Sequence, residues 1–105
     1  MGRRPGLATV EVMRVLAEGS AYGLDIMEQT GLPSGTVYPI LARLERDGLA
    51  KAKWEAPTVA RAEGRPRRRY YRLTGAGETV LVQVMRQARS VGRPLPGLRS
   101  APEGT

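Results

Sequence analysis

Apolar and polar residues recur with a helical period over most of this chain and with a period of two in its middle. The clearest helical pattern lies in residues 35–49, which predict an amphipathic helix. Its apolar positions follow the three- and four-residue spacing of one helix face: Val37, Ile40, Leu41 and Leu44. Ser34 is placed to cap the first turn. Gly48 is placed to end the helix in a left-handed conformation.

Two shorter amphipathic segments, residues 9–18 and 21–30, precede this helix and predict helices of their own. Thr9 is placed to cap the first of them, with Leu7 as an apolar staple ahead of it. A turn of three or four residues that begins at Gly31 then leads into the helix described above. This spacing is typical of a helix-turn-helix, whose second helix enters the major groove of DNA.

The middle of the chain changes to a period of two. Residues 50–55 alternate small or aromatic residues with charged ones, and residues 69–73 form a matching segment, so both predict β-strands. The connection 56–68 is polar and contains glycine and proline, which predicts a mobile loop. We therefore expect a mainly α fold with a small two-stranded β-wing, that is, a winged helix-turn-helix.

Residues 74–91 predict the last helix, with Thr74 as its cap. Its apolar stripe is wide for an exposed helix on a small domain, which favours a dimer interface; the alternative is that the helix folds back on its own core. The predicted dimer contacts are Val80, Leu81, Val84, Met85 and Ala88. The predicted segments are a disordered basic arm at 1–6, a winged helix-turn-helix at 7–73, a dimerisation helix at 74–91 and a disordered tail at 92–105.

Composition narrows the classes of function. The chain has 105 residues, enough for one small domain, and it contains neither Cys nor His. The missing residue types exclude disulfides, thiolate metal sites and histidine-based catalysis. No catalytic motif is present, so we expect no enzyme activity, no cofactor and no metal. No apolar run approaches the length of a membrane span, so we expect a soluble cytoplasmic protein without membrane contact.

The positive charge is concentrated in one segment. The net charge is +7, and residues 51–72 hold two Lys and six Arg against two Glu. Such a patch is typical of proteins that bind a polyanion. The alternatives are a solvated loop or a membrane-surface patch, although the segment lacks the pattern of an amphipathic helix.

Three strings of residues carry a resemblance to a known family: YGLDIMEQTGLPSGTVYPILARLERDGL, the wing residues Trp54-Glu55, and GRPRRRYYRLTGAGE. The chain resembles the PadR-like winged-helix transcriptional regulators, of the short type, over roughly residues 7–88. The resemblance implies a homodimer that binds double-stranded DNA at a pseudo-palindromic operator and acts as a repressor. It also implies that a bacterial cytoplasm, with its nucleoid, is the site of action.

The resemblance and the charge pattern together give a set of candidate DNA-binding residues. The helix at 35–49 and its cap contribute Ser34, Gly35, Thr36, Tyr38, Pro39 and Arg43. The wing contributes Lys51, Lys53, Arg65, Arg67, Arg68 and Arg69, as neutralisers of phosphate charge. Short family members that bind flat aromatic ligands use a Trp on the last helix, whereas Trp54 lies in the wing, so a small-molecule effector stays unidentified.

Two questions stay open from the sequence. Arg43 can contact a guanine edge with two hydrogen bonds or hold a phosphate. The whole domain can bind DNA, or it can be a winged-helix protein-interaction module that acts as an anti-activator. Five Arg near the wing tip favour DNA, because a surface that binds only protein would not need them.

Overall fold

The computed structural model describes residues 5–90, and it describes side chains as far as residue 88. The predicted tail at 92–105 lies outside the described residues, as does most of the predicted arm at 1–6. Within residues 5–90, no helix has the length and hydropathy that a membrane crossing requires.

Five helices and three strands make up the described part of the chain. In chain order they are α1 (Leu7–Ala17), β1 (Ala21–Tyr22), α2 (Gly23–Thr30), α3 (Ser34–Arg46), β2 (Ala50–Trp54), α4 (Pro57–Ala62), β3 (Arg69–Leu73) and α5 (Gly75–Ser90). This order, three helices and then a β-hairpin, is the winged helix-turn-helix that the sequence predicts. The strands β2 and β3 form the wing.

The sheet has three antiparallel strands in the order β1-β3-β2, so the prediction of two strands was incomplete. Ala21 and Tyr22, which were expected at the start of the second helix, pair instead with Tyr71 and Tyr70 of β3. Backbone pairing along the free edge of β3 thus determines the conformation of these two residues. A segment of two residues is too short for hydrophobic periodicity to identify it.

Two predicted helix caps are wrong. α1 begins at Leu7 after Gly6, so Thr9 lies inside the helix, where its side chain is buried. α3 begins at Ser34, and Pro33, which has no side-chain hydroxyl, occupies the cap position. The predicted staple at Leu7 is also wrong, because that side chain is 71% exposed. Both errors follow from helices that start one or two residues earlier than their apolar pattern does.

The predicted turns at glycine are confirmed. Gly31 follows α2 with φ of 77°, and Gly48 follows α3 with φ of 76°. Both values lie in the left-handed region, where a residue with a Cβ is strained. The chain therefore reverses sharply after each helix of the helix-turn-helix.

The connection between the wing strands was predicted to be a mobile loop, and this prediction is wrong in part because the connection contains α4. Pro57 stands at the start of this helix, where the missing N–H costs nothing. Ala60 is buried, and its carbonyl accepts a hydrogen bond from the Arg65 amide at 3.1 Å. This helix of six residues in a polar segment is too short for hydrophobic periodicity to identify it.

One core joins α1, α2, α3, the sheet and α5. Its fully buried side chains are mostly aliphatic and include Val12, Met13, Ile26, Val37 and Leu41. The apolar stripe predicted for α3 is buried at all four positions. The exposed face of α3 is thereby fixed on the opposite side of the helix.

The last helix packs on this core in the single chain. Thr74 caps it, since its Oγ1 accepts a hydrogen bond from the Gly77 amide at 3.1 Å. Leu81 is 6% exposed and belongs to the core, and Ala88 is 8% exposed. These two predicted dimer contacts are therefore already covered by the chain's own residues. Val91, the last residue of the predicted helix, lies outside the described residues.

Candidate nucleic-acid interface

The exposed face of α3 is built from small or apolar residues and one arginine. Gly35, Pro39, Ala42 and Arg46 recur at spacings of four, three and four, and all four are exposed. At 3.6 residues per turn, these positions form one stripe opposite the buried positions of the helix. A major groove accepts an α-helix that presents such an exposed face.

Tyr38 flanks this stripe on the side of α2. Its ring lies directly against Gly23, and a Cβ at Gly23 would overlap the ring and its hydroxyl. The side chain is still 45% exposed. Gly23 therefore makes room for the ring and the hydroxyl of Tyr38 beside the first turn of α2.

Arg43 flanks the stripe on the other side, toward α1. Its Nη2 donates a hydrogen bond to Thr9 Oγ1 at 3.3 Å. Thr9 is the one buried polar residue among residues 5–88, and this bond gives its hydroxyl a partner. The sequence predicted Arg43 on a DNA-facing surface, and the structure adds that its guanidinium leans away from the centre of that surface.

Glu55, at the end of β2, organises the wing tip. Its carboxylate accepts two hydrogen bonds from Arg65, at 2.7 and 2.8 Å, and one from the Arg68 amide at 3.2 Å. Its backbone N–H donates to Arg68 O at 2.8 Å, and its carbonyl accepts from Arg67 Nε at 2.9 Å. One residue thus holds three arginines of the wing in place.

The pair formed by Glu55 and Arg65 is the most sheltered ion pair of the described residues, with 8% and 19% of the two side chains exposed. The hydrogen bond from Arg65, against an opposing effect of burial, lowers the pKa of Glu55 to about 2. Arg65 also contacts Glu63 at 2.8 Å. Arg65 was predicted to neutralise phosphate, but in this structure its charge is matched within the wing.

Arginine and aromatic side chains stack along the wing. The guanidinium carbons of Arg67 and Arg69 lie 5.6 and 5.4 Å from the ring centre of Trp54. That of Arg68 lies 4.2 Å from the ring centre of Tyr22. Contacts of this kind fix the direction of a long cationic side chain without neutralising its charge.

The arginines differ in their acidic partners. Arg69 contacts Glu45 of α3 at 3.0 Å, which ties the wing to α3. Among the described residues, neither Arg67 nor Arg68 forms a salt bridge with a carboxylate. Of the four arginines at positions 65 and 67–69, the two whose charge is not matched by a carboxylate of the described residues are therefore Arg67 and Arg68.

An open groove of about 520 Å³ separates the wing from α2 and α3. The aromatic part of its wall consists of Tyr22, Tyr38, Trp54 and Tyr71, and the basic part consists of Arg65, Arg67, Arg68 and Arg69. Leu24, exposed at the start of α2, also lines it. The structure thus brings the wing arginines and Tyr38 into one concave surface.

The two predicted lysines lie on the other face of the sheet. Lys51 is in register with Arg72, and Lys53 with Tyr70, whereas Trp54 is in register with Arg69 on the face toward the groove. Lys51, Lys53 and Arg72 are all exposed. Arg72 was missed as a candidate, although its alternation with Tyr71 indicated the same outward direction.

Comparisons with known proteins agree with this architecture. The sequence profile of the transcriptional regulator PadR-like family matches residues 12–83. A PadR-like transcription factor from Bacteroides fragilis is 31% identical, with 79% of this chain and 81% of that chain covered at a TM-score of 0.69. No protein with a curated function is similar enough in sequence to count as a match.

Two further solved structures show the same fold. A PadR family transcription regulator from Clostridium difficile is 27% identical, with 82% of this chain and 91% of that chain covered at a TM-score of 0.72. A PadR family transcriptional regulator from Eggerthella lenta is 29% identical, with 84% and 77% covered at a TM-score of 0.69. Since the family profile spans more than half of the sequence, this chain belongs to the PadR-like family of transcriptional regulators.

Proposed function

We propose that this protein is a sequence-specific repressor that binds a pseudo-palindromic operator in double-stranded DNA as a homodimer. The proposal rests on the groove between the wing and helices α2 and α3, where Arg67 and Arg68 form no salt bridge among the described residues. A helix with an exposed small-residue face lies on one side of this groove and cationic side chains lie on the other. This arrangement fits a major groove and the phosphates that border it.

The wing supplies affinity that does not depend on sequence. Arg67 and Arg68 contact phosphates directly, and each neutralised phosphate releases counterions. Arg65 and Arg69 take a different part, because their partners Glu55 and Glu45 hold the wing against the domain. Lys51 and Lys53, on the outer face of the sheet, reach phosphates only of a duplex that extends past the wing.

The N-terminal half of α3 positions the protein on the duplex and contributes to its choice of DNA sequence. Ser34, Gly35 and Thr36 form the first turn of α3, and the Ser34 hydroxyl belongs to an exposed residue of that turn. This hydroxyl and the Tyr38 hydroxyl are placed to donate to phosphate oxygens. For Arg43 we favour a phosphate contact over a guanine contact, because its side chain leans toward Thr9 and off the exposed stripe.

The homodimer forms through α5. Leu81 and Ala88 are covered by the chain itself, so the partner meets the remaining apolar positions of this helix. Val80, Val84 and Met85 are half-buried against the core, and Val82 is 45% exposed. A second copy of α5 would cover these positions, and two-fold symmetry would place two copies of α3 in successive major grooves.

Fluorescence anisotropy with a labelled duplex from the promoter of the protein's own gene tests the proposal. We expect saturable binding that survives a large excess of unrelated duplex, and lower transcription from that promoter when the protein is added to a purified system. Equal affinity for all duplexes would contradict the proposal and would favour a protein-interaction module.

A further inference from the structure

The centre of the exposed α3 face carries almost no hydrogen-bonding side chain. Gly35 has open space around it, and Pro39 and Ala42 are exposed with only carbon in their side chains. Pro39 also lacks the N–H that would bond to the Gly35 carbonyl. A helix with this face can approach base edges closely but has few groups that donate to them.

Three longer polar residues around this centre have hydrogen-bond partners within the chain. Arg43 donates to Thr9, and Glu45 accepts from Arg69 at 3.0 Å. Arg46, at the end of the stripe, donates to Asp47 at 3.2 Å. Tyr38 is turned toward Gly23. The middle of the stripe, at Pro39 and Ala42, therefore has no side chain that can distinguish bases by hydrogen bonds.

We propose that Ala42, next to Pro39, is a specificity-determining residue that contacts the C5-methyl group of thymine in the operator. This inference rests on the DNA-binding function proposed above. Thymine alone among the four bases presents a methyl group in the major groove, and small apolar side chains contact it. Ala42 lies in the third turn of α3, at the centre of the exposed stripe, where a methyl group meets a base edge rather than a phosphate.

The effect is measurable with duplexes that differ by one methyl group. The operator is first selected from a library of random duplexes. Each of its thymines is then replaced in turn by deoxyuridine, which keeps every hydrogen bond of the base pair. Burial of one methyl group gives about a fourfold change in affinity, and a symmetric pair in both half-sites gives about fifteenfold. We expect such a loss at one symmetric pair of thymines, with little change at the others.

The variant Ala42→Gly removes the methyl group from the protein side. It should bind the thymine operator more weakly by a similar factor and should no longer distinguish thymine from deoxyuridine at that pair. Ala17→Gly makes the same exchange at the exposed last residue of α1 and controls for the loss of a methyl group away from α3. Circular dichroism of both variants shows whether α3 and α1 remain helical.

Three outcomes decide between the claims. Loss at one thymine pair that disappears in Ala42→Gly supports the inference. The inference is overturned, and the proposed function left intact, if the operator is bound specifically but no such thymine pair exists. The same holds if Ala42→Gly still distinguishes thymine from deoxyuridine at that pair. If selection yields no preferred duplex, the proposed function fails, and the role of Ala42 fails with it.

Discussion

The wing arginines give the most quantitative prediction. Arg67 and Arg68 stack on Trp54 and Tyr22 and lack a carboxylate partner among the described residues, so each is available to one phosphate. Replacing both with Ala removes two phosphate contacts per chain and four per dimer. Each lost contact lowers the slope of log affinity against log salt by about 0.9, so the slope should fall by about 3.6.

This difference is large enough to measure by anisotropy titration. Between about 50 and about 200 mM salt, the wild-type protein should lose about 150-fold more affinity than the double Ala variant. The effect should be the same for operator and for random duplexes, because phosphates carry no sequence information. Loss of the wing contacts would thus lower affinity without altering the preferred sequence.

The matched control keeps the charge and removes the guanidinium. A double variant with Lys at positions 67 and 68 loses the planar stacking on Trp54 and Tyr22 but should keep most of the salt dependence. Thermal unfolding of all three proteins checks that the wing remains folded. If the Ala and Lys variants share the wild-type slope, these arginines do not neutralise phosphates, and the assignment of the groove is wrong.

Three further predictions concern stability and assembly. Leu81→Ala should lower the free energy of unfolding by about 2–5 kcal/mol in urea, because it opens a cavity in the core. Val82→Glu should change the stability of the single chain by less than about 0.5 kcal/mol and shift sedimentation from dimer to monomer. A monomeric wild type would contradict the dimer. The folded-state pKa of Glu55 lies below its ordinary value of 4.5, so the ion pair contributes fully to stability above pH 4.5 and its contribution is lost as the pH falls toward 2. Glu55→Gln should flatten this acid-induced loss of stability. An unchanged pH profile would show that the ion pair is not formed in solution. Gly77→Ala should destabilise the fold by about 1–3 kcal/mol in the same urea assay, because its Cβ would overlap the Leu49 carbonyl, and an unaltered midpoint would show that the α5 start can shift freely.

The helices and the wing strands followed from the sequence because their periodicities are strong. Val37, Ile40, Leu41 and Leu44 mark the buried face of α3 without any knowledge of its neighbours, and all four are buried. Gly31 and Gly48 mark the ends of two helices because left-handed backbone strains other residues. Buried helix faces and helix ends are determined by residues close together in the chain, so they can be predicted from a single sequence.

Features that depend on contacts distant in the sequence were missed. β1 exists because Ala21 and Tyr22 find the edge of β3, which lies far along the chain. α4 lies in a polar segment whose order depends on Glu55 and the arginine contacts around it. The charge pattern identified the wing as basic, but only the structure separates Arg65, which is paired, from Arg67, which lacks a salt bridge among the described residues.

The same limit applies to α5. Its apolar stripe is genuine, but periodicity cannot distinguish a helix that packs on its own core from one that packs on a second copy. The structure assigns Leu81 to the core and leaves Val82 exposed, so one helix supplies both kinds of position. Ala42 was not among the predicted DNA-binding residues, because a small apolar residue has neither charge nor hydrogen-bonding groups that would indicate contact with DNA.

The central claim is that the surface formed by α3 and the wing recognises a symmetric DNA sequence. Selection of the purified protein on a library of random duplexes, followed by sequencing of the bound fraction, tests it most directly. We expect an enriched inverted repeat whose half-sites are separated by about one helical turn, about 34 Å. The double Ala variant of Arg67 and Arg68 should still prefer this repeat at low salt. A bound fraction with no enriched sequence, or with an enriched site that lacks two-fold symmetry, would contradict it.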